Sequence, residues 1–118
     1  MNLNSILIGS EDPARLADYY RHLFGEPEWS DGGYTGWRVG QGGVMVGPHD
    51  QVKGANQQPG RIIWNVESDD VRGDFERFKE AGADVVQEPY APDEASDALI
   101  ATFSDPDGNY FQLVSPMS

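Results

Sequence analysis

The chain has 118 residues, enough for one compact domain that buries roughly 65–70% of the surface its unfolded form exposes. Twenty acidic against 8 basic residues give a formal charge of −12, which argues against a nucleic-acid partner because phosphate binding needs a basic face. The absence of cysteine excludes disulfides, thiolate metal sites and a cysteine nucleophile, and no apolar run approaches the ~20 residues that span a bilayer.

The first nine residues lack the basic start and cleavage site of a signal peptide, so a cytoplasmic location with no membrane partner is expected. Leu3 to Ile8 alternates as a strand, with Ile6 and Ile8 on one face and Ser5 and Leu7 on the other. Asp12-Pro13 opens a helix: Asp is a good N-cap, and Pro is tolerated at the first helical position, where no partner awaits its missing N–H. Leu16, Tyr19, Tyr20 and Leu23 recur on one helical face, and Gly25 stands where a left-handed C-terminal residue is wanted. Trp29, Tyr34–Val39 and Gly43–Val46 then read as three short strands, joined by Asp31-Gly32-Gly33 and Gly40-Gln41-Gly42.

The stretch 49–59 is polar and aperiodic, and reads as a linker. The pattern then repeats. Arg61 to Val66 reads as a strand, and Ser68 caps a second helix with Asp69 and Asp70 in its first turn and Val71, Phe75 and Phe78 on its buried face. Gly82 ends that helix. Val85-Val86, Leu99–Phe103 and Tyr110–Val114 supply three further strands, with the acidic loop 93–97 between the first two. The chain therefore holds two βαβββ modules, over 3–48 and 60–116. The expected fold is α+β: a single two-module domain whose curled half-sheets form a partly open barrel-like sheet, with a concave pocket inside and helices outside.

The last strand is launched by Asp105-Pro106-Asp107-Gly108, a strong turn tetrapeptide: Asp bonds its own backbone, Pro presets φ and Gly lets the chain leave without a Cβ clash. In the strand that follows, Tyr110, Gln112 and Val114 share one face and Phe111 and Leu113 the other, so Gln112 is a polar amide in an otherwise apolar strand. This stretch and the repeat that precedes it resemble the vicinal-oxygen-chelate superfamily, which includes glyoxalases, bleomycin-resistance proteins and extradiol dioxygenases. The resemblance covers nearly the whole chain. It implies one divalent ion in the concave pocket of metal-dependent members, held by a histidine on the first strand, a histidine at the start of the fifth and a glutamate on the last. Carried over by motif, those positions fall on Ser5, Arg61 and Gln112, and the symmetry-related position on the fourth strand falls on Val44. A hydroxyl, a permanent cation and an isopropyl group make a poor ligand set, and one amide oxygen does not hold a divalent ion. His22 falls on the outer side of the first helix and His49 in the linker, so no metal and no other cofactor is expected.

The positions expected to face inward include Ser5, Leu7, Val44, Val46, Arg61, Ile63, Asn65, Tyr110, Gln112 and Val114. They describe an apolar pocket with a few hydrogen-bonding groups, the usual make-up of a small-molecule site. Trp37 offers either an aromatic face for stacking or core packing. Arg61 either pairs with a surface carboxylate or grips an anionic ligand group. The acidic field either attracts a cationic ligand or only supports solubility. No Ser/His/Asp grouping, phosphate-binding glycine loop or nucleophile elbow is present. The expected function is thus metal-free binding of a small molecule, with the resemblance to the bleomycin-resistance branch suggesting an antibiotic or toxic compound. Two alternatives stay open: a metal-dependent or acid–base lyase, isomerase or dioxygenase, and a non-catalytic accessory or interaction domain. A homodimer is expected, because open sheet edges need cover and because the resembled family commonly dimerises.

Overall fold

The computed structural model describes residues 1–116. It divides into two compact units, one over Met1–Ala55 and the other from Asn56 onward. Each is a βαβββ module built on a four-stranded mixed sheet, so the fold is α+β, and neither sheet closes on itself.

In the first unit β1 (Ser5–Ser10) leads into α1 (Pro13–Phe24), then β2 (Trp29–Asp31), β3 (Tyr34–Val39) and β4 (Gly42–Pro48). The strand order is β1-β4-β3-β2, with β1 parallel to β4 and the rest antiparallel. The helix starts as its sequence requires. Asp12 accepts from the backbone N–H of Arg15 through its side chain, Pro13 takes the first helical position, and Gly25 leaves at φ 85°. Leu16, Ala17, Tyr20 and Leu23 are buried on one side of α1. Trp37, Val44 and Val46 complete the core from the sheet, with Tyr20 edge-on to Trp37 at 6.3 Å. The Trp37 indole N–H donates to the Gly25 carbonyl at 2.9 Å, tying the helix end to the centre of the sheet.

The second unit repeats this topology. A 3₁₀ turn (Pro59–Arg61) precedes β5 (Trp64–Glu67), α2 (Val71–Glu80), β6 (Asp84–Tyr90), β7 (Ile100–Ser104) and β8 (Tyr110–Val114), in the order β5-β8-β7-β6. Its core is a phenylalanine cluster: Phe103 lies 5.4 Å from Phe111, 5.5 Å from Phe75 and 5.6 Å from Phe78, centroid to centroid. Full burial of each such ring contributes about 1.5–3 kcal/mol. Trp64 stacks on Phe111 at 5.2 Å, on the helix side of the sheet.

Three local expectations are corrected. The strand read from Arg61 begins three residues later, at Trp64, and Arg61 itself lies in the 3₁₀ turn. The parallel partner β8 starts at Tyr110, and the chain before it is committed to the Asp105 turn, so Arg61 and Ile62 have no strand to pair with. The N-cap of α2 is Asp70, which accepts from the Gly73 N–H, rather than Ser68. Ser68 instead accepts from the Asp70 N–H and donates to the Asp74 carboxylate. The strand expected at Val85-Val86 is longer, bulged at two places, and contains Pro89, which an edge strand tolerates.

Candidate functional site

In each unit the helix covers one face of the sheet and leaves the other uncovered by its own module. Strand alternation decides which side chains the open face receives. In the first unit Ile6 pairs with Val44 and Ile8 with Val46, on the α1 side. Ser5 pairs with Gly43 and Leu7 with Met45 on the opposite side, where Leu7 is 52% exposed. Val44 and Val46 are therefore corrected from pocket lining to core, at 3% and 1% exposure. Trp37 is register partner to Val44 and equally buried, and it also borders a cavity of about 120 Å³ beside Ser5.

The internal repeat fixes the equivalent positions. Asp12 N–H donates to Ser10 Oγ at 3.0 Å, and Asp70 N–H donates to Ser68 Oγ at 3.1 Å, so each helix is entered by the same Ser-x-Asp turn. Aligning the two turns places Ser5 with Ile63 and Leu7 with Asn65. Because Leu7 pairs with Met45 and Asn65 with Gln112, the counterpart of Gln112 is Met45. The carry-over onto Arg61 and Val44 is thus corrected to Ile63 and Met45. Taken one by one, these positions carry a hydroxyl, a thioether, a hydrocarbon and a carboxamide, and none is an imidazole or a carboxylate, the donors that divalent cations take. Among the described residues no group of three or more His, Cys, Asp or Glu is placed to hold a metal. His22 bonds the Asp18 carbonyl at 2.7 Å on the exposed side of α1, and His49 accepts from the Gln51 N–H beyond β4.

On the open face of the second unit the sequence has built a cleft. The turn that joins β7 to β8, at the far end of the hairpin from Ile100 and Val114, is held by Asp105, 2% exposed, whose Oδ1 accepts from the N–H groups of Asp107 and Asn109 at 2.9 Å each. The Asn109 side-chain amide donates to Oδ2 at 3.0 Å, and the Gly108 N–H closes the turn on the Asp105 carbonyl with φ 81° at Gly108. That turn sets the β7–β8 register, which brings Thr102 opposite Gln112. The Gln112 amide donates to Thr102 Oγ1 at 3.0 Å. Across the sheet Asn65, Gln112, Thr102 and Gln87 form one cross-strand row of uncharged polar side chains.

Above this row lies a cavity of about 680 Å³, lined by Asn65 and Gln112 from the sheet, by Ile100 and Val114, and by the segment that joins β6 to β7 through Pro92, Ser96 and Leu99. The Leu99 N–H donates to Ser115 Oγ at 2.9 Å, and the Ser115 N–H donates back to the Leu99 carbonyl, pinning the end of that segment against the strand. None of the lining residues carries a charge. The charged residue in the neighbouring row, Glu67, pairs with Val114 in register but does not line the cavity.

The remaining expected site residues divide. Tyr110 shares the face of Gln112 but lies at the turn end of β8, next to Ser104. Arg61 donates to the Gln58 carboxamide at 2.7 Å and lines a separate cavity of about 340 Å³ with Asn56, Gln57, Gln58 and Ile62. Ser5 lines a smaller one of about 120 Å³ beside Trp29, Arg38 and Met45, where Arg38 pairs with Glu28 at 3.4 Å. Sequence reasoning missed Leu99, Ile100 and Ser96 as lining residues. The signal available was the apolar step Ala98-Leu99-Ile100 directly after the acidic loop.

The sequence model described as a glyoxalase-like domain matches residues 5–114. No curated protein matches the chain. Solved structures do. A glyoxalase/bleomycin resistance protein/dioxygenase family enzyme from Burkholderia phytofirmans PsJN is 18% identical with a TM-score of 0.74, over 99% of this chain and 100% of that one. A glyoxalase-related enzyme from Fulvimarina pelagi is also 18% identical with a TM-score of 0.74, over 98% of this chain and 88% of that one. TioX from Micromonospora sp. ML1 is 22% identical with a TM-score of 0.73, over 99% and 100%. At these identities the neighbours speak for the fold alone. With the family match across nearly the whole length, the paired βαβββ modules and the final Asp-Pro-Asp-Gly turn and strand, the chain belongs to the glyoxalase-like domain family of the vicinal-oxygen-chelate superfamily.

Proposed function

We propose that this chain is a metal-independent binding protein for a small organic molecule, acting by stoichiometric sequestration as in the bleomycin-resistance branch of the superfamily. The observation that carries the reading is the uncharged cleft of about 680 Å³ around Gln112, which has apolar walls and a polar floor and lies within the roughly 300–1,000 Å³ range of small-molecule sites. That none of Ser5, Met45, Ile63 and Gln112 is an imidazole or a carboxylate supports binding without a metal. Among the described residues no ionisable side chain that could serve as general acid or base lines the cleft, so turnover has no assigned proton carrier. An antibiotic or another toxic compound is the ligand class proposed, and a homodimer the proposed assembly, with β1, β2, β5 and β6 as the free sheet edges within their modules.

The test is a thermal-shift screen of neutral and charged natural-product-like compounds, followed by calorimetry and NMR on each hit. Saturable one-to-one binding that perturbs Gln112 and Leu99, without consumption of the compound, is the expected result. Catalytic conversion of a hit, or binding that requires an added divalent metal, would overturn the proposal. Light scattering on the eluting protein reads the dimer.

A further inference from the structure

We infer that the cleft around Gln112 selects a neutral ligand through an amide or lactam edge, reading its N–H and C=O with the paired carboxamides of Gln112 and Asn65. This rests on the binding reading above and specifies its ligand class.

The first observation is orientation. Gln112 is half-buried, and its amide nitrogen is committed to Thr102 Oγ1 at 3.0 Å. A carboxamide is planar, with nitrogen and oxygen on opposite branches, so this bond turns the Gln112 carbonyl oxygen away from β7 and fixes it as an acceptor. Thr102 is itself 6% exposed on a central strand, so the anchor is held in place by the sheet. The second observation is availability. Asn65 stands beside Gln112 in register on β5, and among the described residues its side chain makes no hydrogen bond, which leaves both a donor and an acceptor for an incoming group. Neighbouring strands lie about 4.8 Å apart. A fixed acceptor and a free carboxamide at that spacing complement a cis-amide edge, which presents its N–H and C=O on the same side.

The third observation is charge. The chain has 28 charged side chains, and among the described residues none of them lines this cleft. The hydroxyls of Ser96 and Ser115 already accept from the backbone N–H groups of Ala98 and Leu99. A carboxylate entering here would meet no cationic side chain in the lining and would approach Glu67, the register partner of Val114, whereas a neutral amide exchanges its water for the two carboxamides. Ile100, Val114, Leu99 and Pro92 then receive an apolar body attached to that edge.

The probes are the cyclic dipeptide cyclo(Leu-Phe), its linear counterpart Leu-Phe, which carries the same side chains with both terminal charges, and the N,N′-dimethylated ring, which lacks the N–H donors. Binding to the full chain is titrated by NMR on the side-chain amides of Gln112 and Asn65. The ring is expected to bind saturably and at least about tenfold more tightly than either control. Gln112→Met, which keeps the length and removes the amide, should weaken the ring by at least about tenfold while the chain stays folded by circular dichroism. Thr102→Val, which frees the Gln112 amide to rotate, should weaken the ring while leaving its N-methylated form unaffected. Equal affinity for the ring and either control, or no saturable shift below about 10 mM, overturns the inference. If charged library compounds bind at Gln112 while the ring does not, the amide-edge inference falls and the binding function stands. If no compound of any class binds at the cleft, both fall.

Discussion

Replacing Asp105 tests whether the final turn both stabilises the second module and sets the register of the cleft. The carboxylate is 2% exposed and accepts from the backbone N–H groups of Asp107 and Asn109 and from the Asn109 side chain. Hydrogen bonds to a charged acceptor contribute about 1.5–3 kcal/mol each, are not additive, and leave buried donors unsatisfied when the acceptor is removed. Asp105→Ala deprives two backbone donors of the same oxygen, so the expected loss is about 3 kcal/mol. Asp105→Asn keeps one oxygen for those two donors but sets its own NH₂ against that of Asn109, and should cost about 1–2 kcal/mol. In urea, with a slope of about 1.5 kcal/mol/M, the alanine variant should shift the midpoint by about 2 M and the asparagine variant by about 1 M. Tryptophan fluorescence and circular dichroism at one fixed protein concentration give the measurement, the concentration being held because dimerisation would move the midpoint by mass action. Equal losses below about 1 kcal/mol for both variants would refute the reasoning, since neither the charge nor the shared oxygen would then matter.

Val46→Ala removes two methyl groups from a side chain 1% exposed and should cost about 2 kcal/mol in urea unfolding while leaving ligand affinity unchanged; a selective loss of affinity would return Val46 to the pocket. A Cβ added at Gly36 would come within 2.6 Å of the Trp29 indole. Gly36→Ala should therefore cost about 1 kcal/mol, and a double-mutant cycle with Trp29→Ala should recover most of it as coupling energy; additive effects would show that the indole does not rest on that glycine. Zinc, nickel, manganese or ferrous ion at millimolar concentration should raise the melting temperature by less than about 1 °C, because the described residues form no His, Cys, Asp or Glu group placed to hold a metal and the lone carboxamide of Gln112 gives the native state no preferential affinity. A rise that saturates with metal and disappears in Gln112→Ala would refute the donor-set reading.

The sequence by itself determined what depends on near neighbours. Asp12-Pro13 and Gly25 bound the first helix because caps act within one turn, and Asp105 to Gly108 formed its turn because each bond spans four residues or fewer. The spacing of Val71, Phe75 and Phe78 marked a buried face for the same reason. Recurrence of the whole pattern gave two βαβββ modules, and with them the family. The tertiary structure decided the register between strands far apart in the chain. A slip of one residue exchanges the two faces of a strand, and that separates Val44, which lies in the core, from Met45, which stands opposite Leu7 as the counterpart of Gln112. Arg61 and Ile62 alternate like a strand but have no partner, since β8 begins only at Tyr110, and no local property of those residues records that. The cleft itself combines Asn65, Leu99 and Gln112. Strand pairing, rather than anything in their immediate sequence, brings those three side chains together.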